Sequence, residues 1–158
     1  MEKTMHNGTP TFTTYNFFTG LFLAVLLGSS ACTVKLISSY DEATDKAVTN
    51  LQRKVETFLV DLGSEQGSPK CAYDNHKAFY GDVKVDVSAI RVRAAAIRQN
   101  ELTVEQLRLL DDSLNKLERL HKIGCPSTDQ LNALRTAFNS SFTAILRLEL
   151  AKKRGALK

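Results

Sequence analysis

Residues 103–124 read TVEQLRLLDDSLNKLERLHKIG. Leu107, Leu110, Leu114 and Leu117 recur at steps of three and four, the spacing of one face of an α-helix. Charged and polar side chains fill the positions between them. Thr103 and Gln106 are spaced as a capping box. Gly124 is a natural C-terminal stop, and Pro126 prevents simple continuation. This stretch predicts a helix over about 104–123.

The same spacing extends in both directions. Upstream, Val48, Leu51, Val55, Phe58 and Leu62 form a stripe, with Ser39 and Glu42 as a capping box, and predict a helix over about 40–62. Ser68-Pro69 then opens a second helix over about 69–98, with serine as cap and proline in the first turn, where its missing N–H costs nothing. Its stripe is Ala72, His76, Phe79, Val83, Val87, Ile90, Ala94 and Ile97. Downstream, Ser127 with Gln130 caps a helix over about 128–154, whose stripe is Leu131, Leu134, Phe138, Phe142, Ile145 and Leu148. Four amphipathic helices with short links predict an all-α fold, an antiparallel up-down-up-down four-helix bundle over 40–155.

Composition agrees. The 158-residue chain is 43% hydrophobic and 24% charged, with eight glycines, three prolines and no tryptophan. That is too apolar for disorder and too poor in turn residues for a strand-rich sandwich. Only one strongly apolar run is present, which excludes a polytopic membrane protein.

That run is Phe17–Leu27, FFTGLFLAVLL. It is short of the about 20 apolar residues a spanning helix needs, and it matches the core of a secretory signal. Gly28-Ser29-Ser30-Ala31 follows, and then Cys32. An apolar run, small residues and a cysteine resemble the lipobox of bacterial lipoprotein precursors. The resemblance implies removal of residues 1–31, acylation of Cys32 and a tether over 32–39. It also implies outer-membrane sorting, because Thr33 is not the aspartate that marks inner-membrane retention. Ser29 stands where that family usually has leucine. Ser29-x-Ala31 also fits an ordinary signal peptidase, which would release a soluble periplasmic protein.

In the expected topology, the first and third connections share one end of the bundle, and the termini share the other. Cys71 and Cys125 then meet at the end far from Cys32. An even pair in an oxidising compartment predicts a disulfide, worth roughly 4 kcal/mol by loop-entropy reasoning; two buried free thiols are the alternative. His76 and His121 fall nearby, so Cys71, His76, His121 and Cys125 form a candidate zinc set. Their spacings, C-x4-H and H-x3-C, match no standard finger, and the disulfide is favoured over the metal. Glu118-x-x-His121 is half of a di-iron motif without its second half. Tyr40, Tyr73 and Tyr80 read as boundary residues of the core.

Charge is uneven. Basic and acidic residues balance over 32–146, and the formal net charge of +4 lies in the last twelve residues: Arg147, Lys152, Lys153, Arg154 and Lys158 against Glu149. The membrane-proximal end is therefore expected to be basic, either contacting anionic headgroups or offsetting a helix dipole.

No phosphate loop, no nucleophile elbow and no C-x-x-C-H haem site occurs, and both methionines lie in the leader. The sequence therefore predicts no cofactor, no enzyme activity and no nucleic-acid partner. It points to a lipid-anchored envelope protein, facing the periplasm, that acts as a structural or protein-interaction module. Its partners would be the membrane, through the N-terminal lipid, and another envelope protein. The alternative is a bundle that binds a metal or small ligand at its Cys/His end.

Overall fold

In the computed structural model, residues 38–156 are described. Among them are four α-helices and no strand: α1 (Glu42–Ser64), α2 (Lys77–Ala95), α3 (Glu101–Ile123) and α4 (Thr128–Ala156). Two short 3-10 turns, Pro69–Cys71 and Tyr73–His76, lie between α1 and α2. The leader, Cys32, most of the tether and the last two residues lie outside the described residues. No described helix is long and apolar enough to cross a membrane.

Each helix packs on two others: α1 on α2 and α4, and α3 on the same two. Cross-helix pairs set the register. Between α1 and α2, the Arg93 guanidinium meets the Asp41 carboxylate and Lys54 meets Asp86 at 2.6 Å. Tyr80 meets His121 and Arg91 meets Asp111 between α2 and α3. Thr103 meets Glu149 between α3 and α4, and Glu56 meets Arg135 between α1 and α4.

The stripes of α1 and α3 face the core as their spacing requires. Val48, Leu51, Val55, Phe58 and Leu62 are buried, as are Leu107, Leu110, Leu114 and Leu117, and Leu59 joins them. Val83, Val87, Ile90 and Ala94 of α2 and Leu131, Phe138, Phe142 and Ile145 of α4 complete this core.

The ends of the helices differ from the sequence reading in three places. The N-cap of α1 is Asp41, not Ser39: its carboxylate accepts from the Thr44 amide at 3.0 Å and the Thr44 hydroxyl at 2.6 Å. Arg93 fixes that carboxylate from the neighbouring helix, which settles the choice of cap. The second helix starts at Lys77 rather than 69. Ser68 and Pro69 do open a helical turn, but it is a 3-10 turn that stops at Cys71. The Asn75 side-chain amide donates to the Pro69 and Lys70 carbonyls at 3.1 Å each, a local bond that competes with α-helix. Third, α3 starts at Glu101, and Thr103 is no cap; its hydroxyl turns inward to Glu149. Only the box opening α4 forms as written, with Ser127 N donating to Gln130 Oε1 at 2.8 Å and Gln130 N donating to Ser127 Oγ at 3.3 Å.

Candidate functional site

Cys71 and Cys125 are joined as a disulfide across 54 positions, with Cα atoms 5.6 Å apart. The bond ties the first 3-10 turn to the α3–α4 connection. Its two halves differ sharply in exposure. Cys71 is 0% exposed, whereas Cys125 is an exposed residue of the loop after Gly124.

A shell of rings packs beside the bond. Phe58 stacks on Phe79 with centroids 3.6 Å apart, and the Tyr80, His76 and His121 rings lie around Phe58. His121 is buried and held at both nitrogens. Its Nε2 lies 2.7 Å from the Cys71 carbonyl, and its Nδ1 lies 2.7 Å from the Tyr80 hydroxyl. A carbonyl only accepts, so Nε2 carries the proton and Nδ1 accepts from Tyr80. The ring is thus held in one neutral tautomer. Burial lowers the pKa of His121, and burial also raises that of Tyr80, so each stays uncharged.

Tyr73 leads to a second cluster. Its hydroxyl donates to Glu118 at 2.7 Å; Lys84 also pairs with Glu118, and Lys122 joins at 2.9 Å. The bond from Lys84 is the main reason the Glu118 carboxyl falls to about 2, against the opposing effect of burial. Glu118 is therefore a buried link between helices rather than a solvated surface residue. His76 packs edge-on against Phe58 and pairs with Glu65 at 2.9 Å.

These positions speak against the zinc set. Disulfide sulfurs are not thiolates, so Cys71 and Cys125 offer no metal ligand of the required kind. His121 has no free nitrogen, and His76 is engaged by Glu65. Among the described residues, no group of three or more His, Cys, Asp or Glu is arranged to hold a metal ion.

The basic tail is also corrected. Arg147, Lys153 and Arg154 are exposed, and Lys158 lies outside the described residues. Lys152 is not part of that surface. It is 3% exposed, with Nζ donating to Glu149 Oε1 and Asn100 Oδ1 at 2.5 Å and to Thr103 Oγ1 at 2.6 Å. Glu149 is itself 1% exposed, and its Oε2 has no hydrogen-bond partner. Ser38 closes the cluster: its hydroxyl donates to Asn100 Oδ1 and its amide to the Gln99 carbonyl, both at 2.9 Å. The stripe of α4 contained this cluster. After Phe138, Phe142 and Ile145, the steps of four and three land on Glu149 and Lys152.

In comparison with known proteins, no family model, no curated protein and no solved structure matches the chain.

Proposed function

We propose that the chain is a lipid-anchored envelope protein whose helical part serves as a structural or protein-interaction module, without enzymatic activity. The observation that carries this reading is the apolar run Phe17–Leu27 followed by Gly28-Ser29-Ser30-Ala31 and Cys32. In the same reading residues 1–31 are a signal peptide, Cys32 carries the acyl chains, and the bundle faces the periplasm from the outer membrane. The helices run up-down-up-down, each antiparallel to its neighbours. The falling pair numbers across α1–α2 and α2–α3 support that course.

The short tether gives the anchor a mechanical consequence. Ser38 is bonded to Gln99 and Asn100, so at most six residue steps separate it from Cys32. Fully extended, they span about 20 Å. The Ser38–Asn100–Lys152 end is then held against the bilayer, and the Cys71–Cys125 end points away. Exposed Arg147, Lys153 and Arg154 stand on the bilayer side and contact anionic headgroups, at up to about 1 kcal/mol each near the surface. The inward side chains of Lys152, Asn100 and Thr103 bond one another and Glu149 Oε1, which supports a structural role for them.

Labelling with a palmitate analogue in a two-membrane bacterium tests the anchor. The full chain should incorporate label and fractionate with the outer membrane. Cys32→Ser should lose the label and should accumulate as an uncleaved precursor. Unlabelled wild-type protein that is cleaved after Ala31 and recovered in the soluble periplasmic fraction would replace this reading with the soluble one.

A further inference from the structure

We infer that the Cys71–Cys125 bond is a thiol-exchange site, in which Cys125 takes the incoming thiol and Cys71 is the resolving sulfur. This inference stands apart from the lipid anchor and needs only the described residues.

Three observations carry it. The first is unequal access: Cys71 is 0% exposed and Cys125 is exposed. Solvent therefore meets the bond on its Cys125 side and not on its Cys71 side. The second is a surface groove lined by both cysteines together with Tyr73, Asp74, His121 and Lys122. The groove gives an incoming thiolate a path to the bond, and access is one of the factors that govern exchange. The third is that Cys71 is held by bonds other than the disulfide. Its amide donates to the Ser68 carbonyl at 3.1 Å, and its carbonyl accepts from His121 Nε2 at 2.7 Å. On the other side, the Pro126 carbonyl accepts from Gln66 Nε2 at 2.8 Å and keeps the Cys125 loop close.

The step balances with a thiol alone. The incoming thiolate attacks Cys125 Sγ, and a new S–S bond forms there as the Cys71–Cys125 bond breaks. The electron pair leaves on Cys71 Sγ, which takes a proton from water. In reverse, the Cys71 thiolate attacks Cys125 Sγ and expels the external thiolate. The His121 imidazole is not free to stabilise the buried Cys71 thiolate, because both its nitrogens are engaged. Closing is therefore favoured over opening, and the mixed disulfide is transient while Cys71 is present.

Exchange on the full-length protein with glutathione, acid-quenched and mapped by peptide mass, tests this. The wild type should carry any adduct on Cys125 and none on Cys71. Cys71→Ser should accumulate a stable Cys125 adduct with oxidised glutathione. In Cys125→Ser the Cys71 thiol should react at least about tenfold more slowly under native conditions, and equally fast once denatured. A second arm replaces glutathione with a thioredoxin-like protein keeping one cysteine of its C-x-x-C pair. An adduct in that arm alone assigns the site to protein thiols, and one with glutathione alone assigns it to small thiols. A wild-type adduct on Cys71, equal native rates in the two variants, or no Cys125 adduct in either wild type or Cys71→Ser overturns the inference. The wild-type map decides the matter if circular dichroism shows that the variants fail to fold.

Discussion

Lys152 places its ammonium among three acceptors in the interior, and each of its three N–H groups is used. A buried pair of this kind adds little to stability relative to an apolar pair, yet breaking it leaves a charge without a partner. Lys152→Ala should therefore lower the unfolding free energy by about 3–5 kcal/mol in urea titrations. Lys152→Met combined with Glu149→Leu should recover most of that loss. A single variant as stable as wild type would show that the cluster is not energetically coupled. His121 offers a second check. Its neutral form is the bonded one, and burial lowers its pKa in the folded protein. The unfolded chain then binds a proton that the folded one refuses, so stability is full above the ordinary histidine value of about 6.5 and declines as pH falls below it. Thermal unfolding of the wild type should weaken between pH 7 and pH 5 by more than that of His121→Gln.

Helix ends separate local chemistry from imposed chemistry. The Ser127–Gln130 box is complete within four residues, needs no other helix, and was legible as a motif. Ser127→Ala should lose about 1 kcal/mol in chemical denaturation. The cap at Asp41 depends on Arg93 from another helix, and the start of α2 depends on Asn75 folding back on the 3-10 turn. Neither dependence has a spacing signature. The apolar stripes behaved differently. Leu107 to Leu117 faced the core because burial of one helix face is itself the driving force that forms the element. Tyr80 shows the limit: it stands one residue from the Phe79 stripe position, and only the presence of His121 and the ring shell determines that it is buried.

For the molecule as a whole, the disulfide closes a loop of 54 positions between two connections. Reduction of the folded protein should lower its unfolding free energy by roughly 4 kcal/mol, less any residual structure in the reduced unfolded chain. Urea midpoints with and without reductant measure this. A reduced form that unfolds at the same midpoint would show that packing of the ring shell alone holds that end.

By itself the sequence determined the all-α class, the four helical segments and which face of each turns inward, because periodic apolar burial is written in local spacing. It also predicted the pairing of Cys71 with Cys125, through the expected order of helices and connections. Only the tertiary structure decided the fate of the polar groups on those inward faces. Glu118, His121, Glu149 and Lys152 each occupy a stripe-side position, and each is stabilised by partners on other segments or helices, chiefly Tyr73 and Lys84, Cys71 and Tyr80, and Thr103 and Asn100. A charged residue beside a stripe can be solvated or buried with equal local pattern. What separates the two outcomes is whether a neighbouring helix brings a complementary group within hydrogen-bond distance, and that is a property of packing alone.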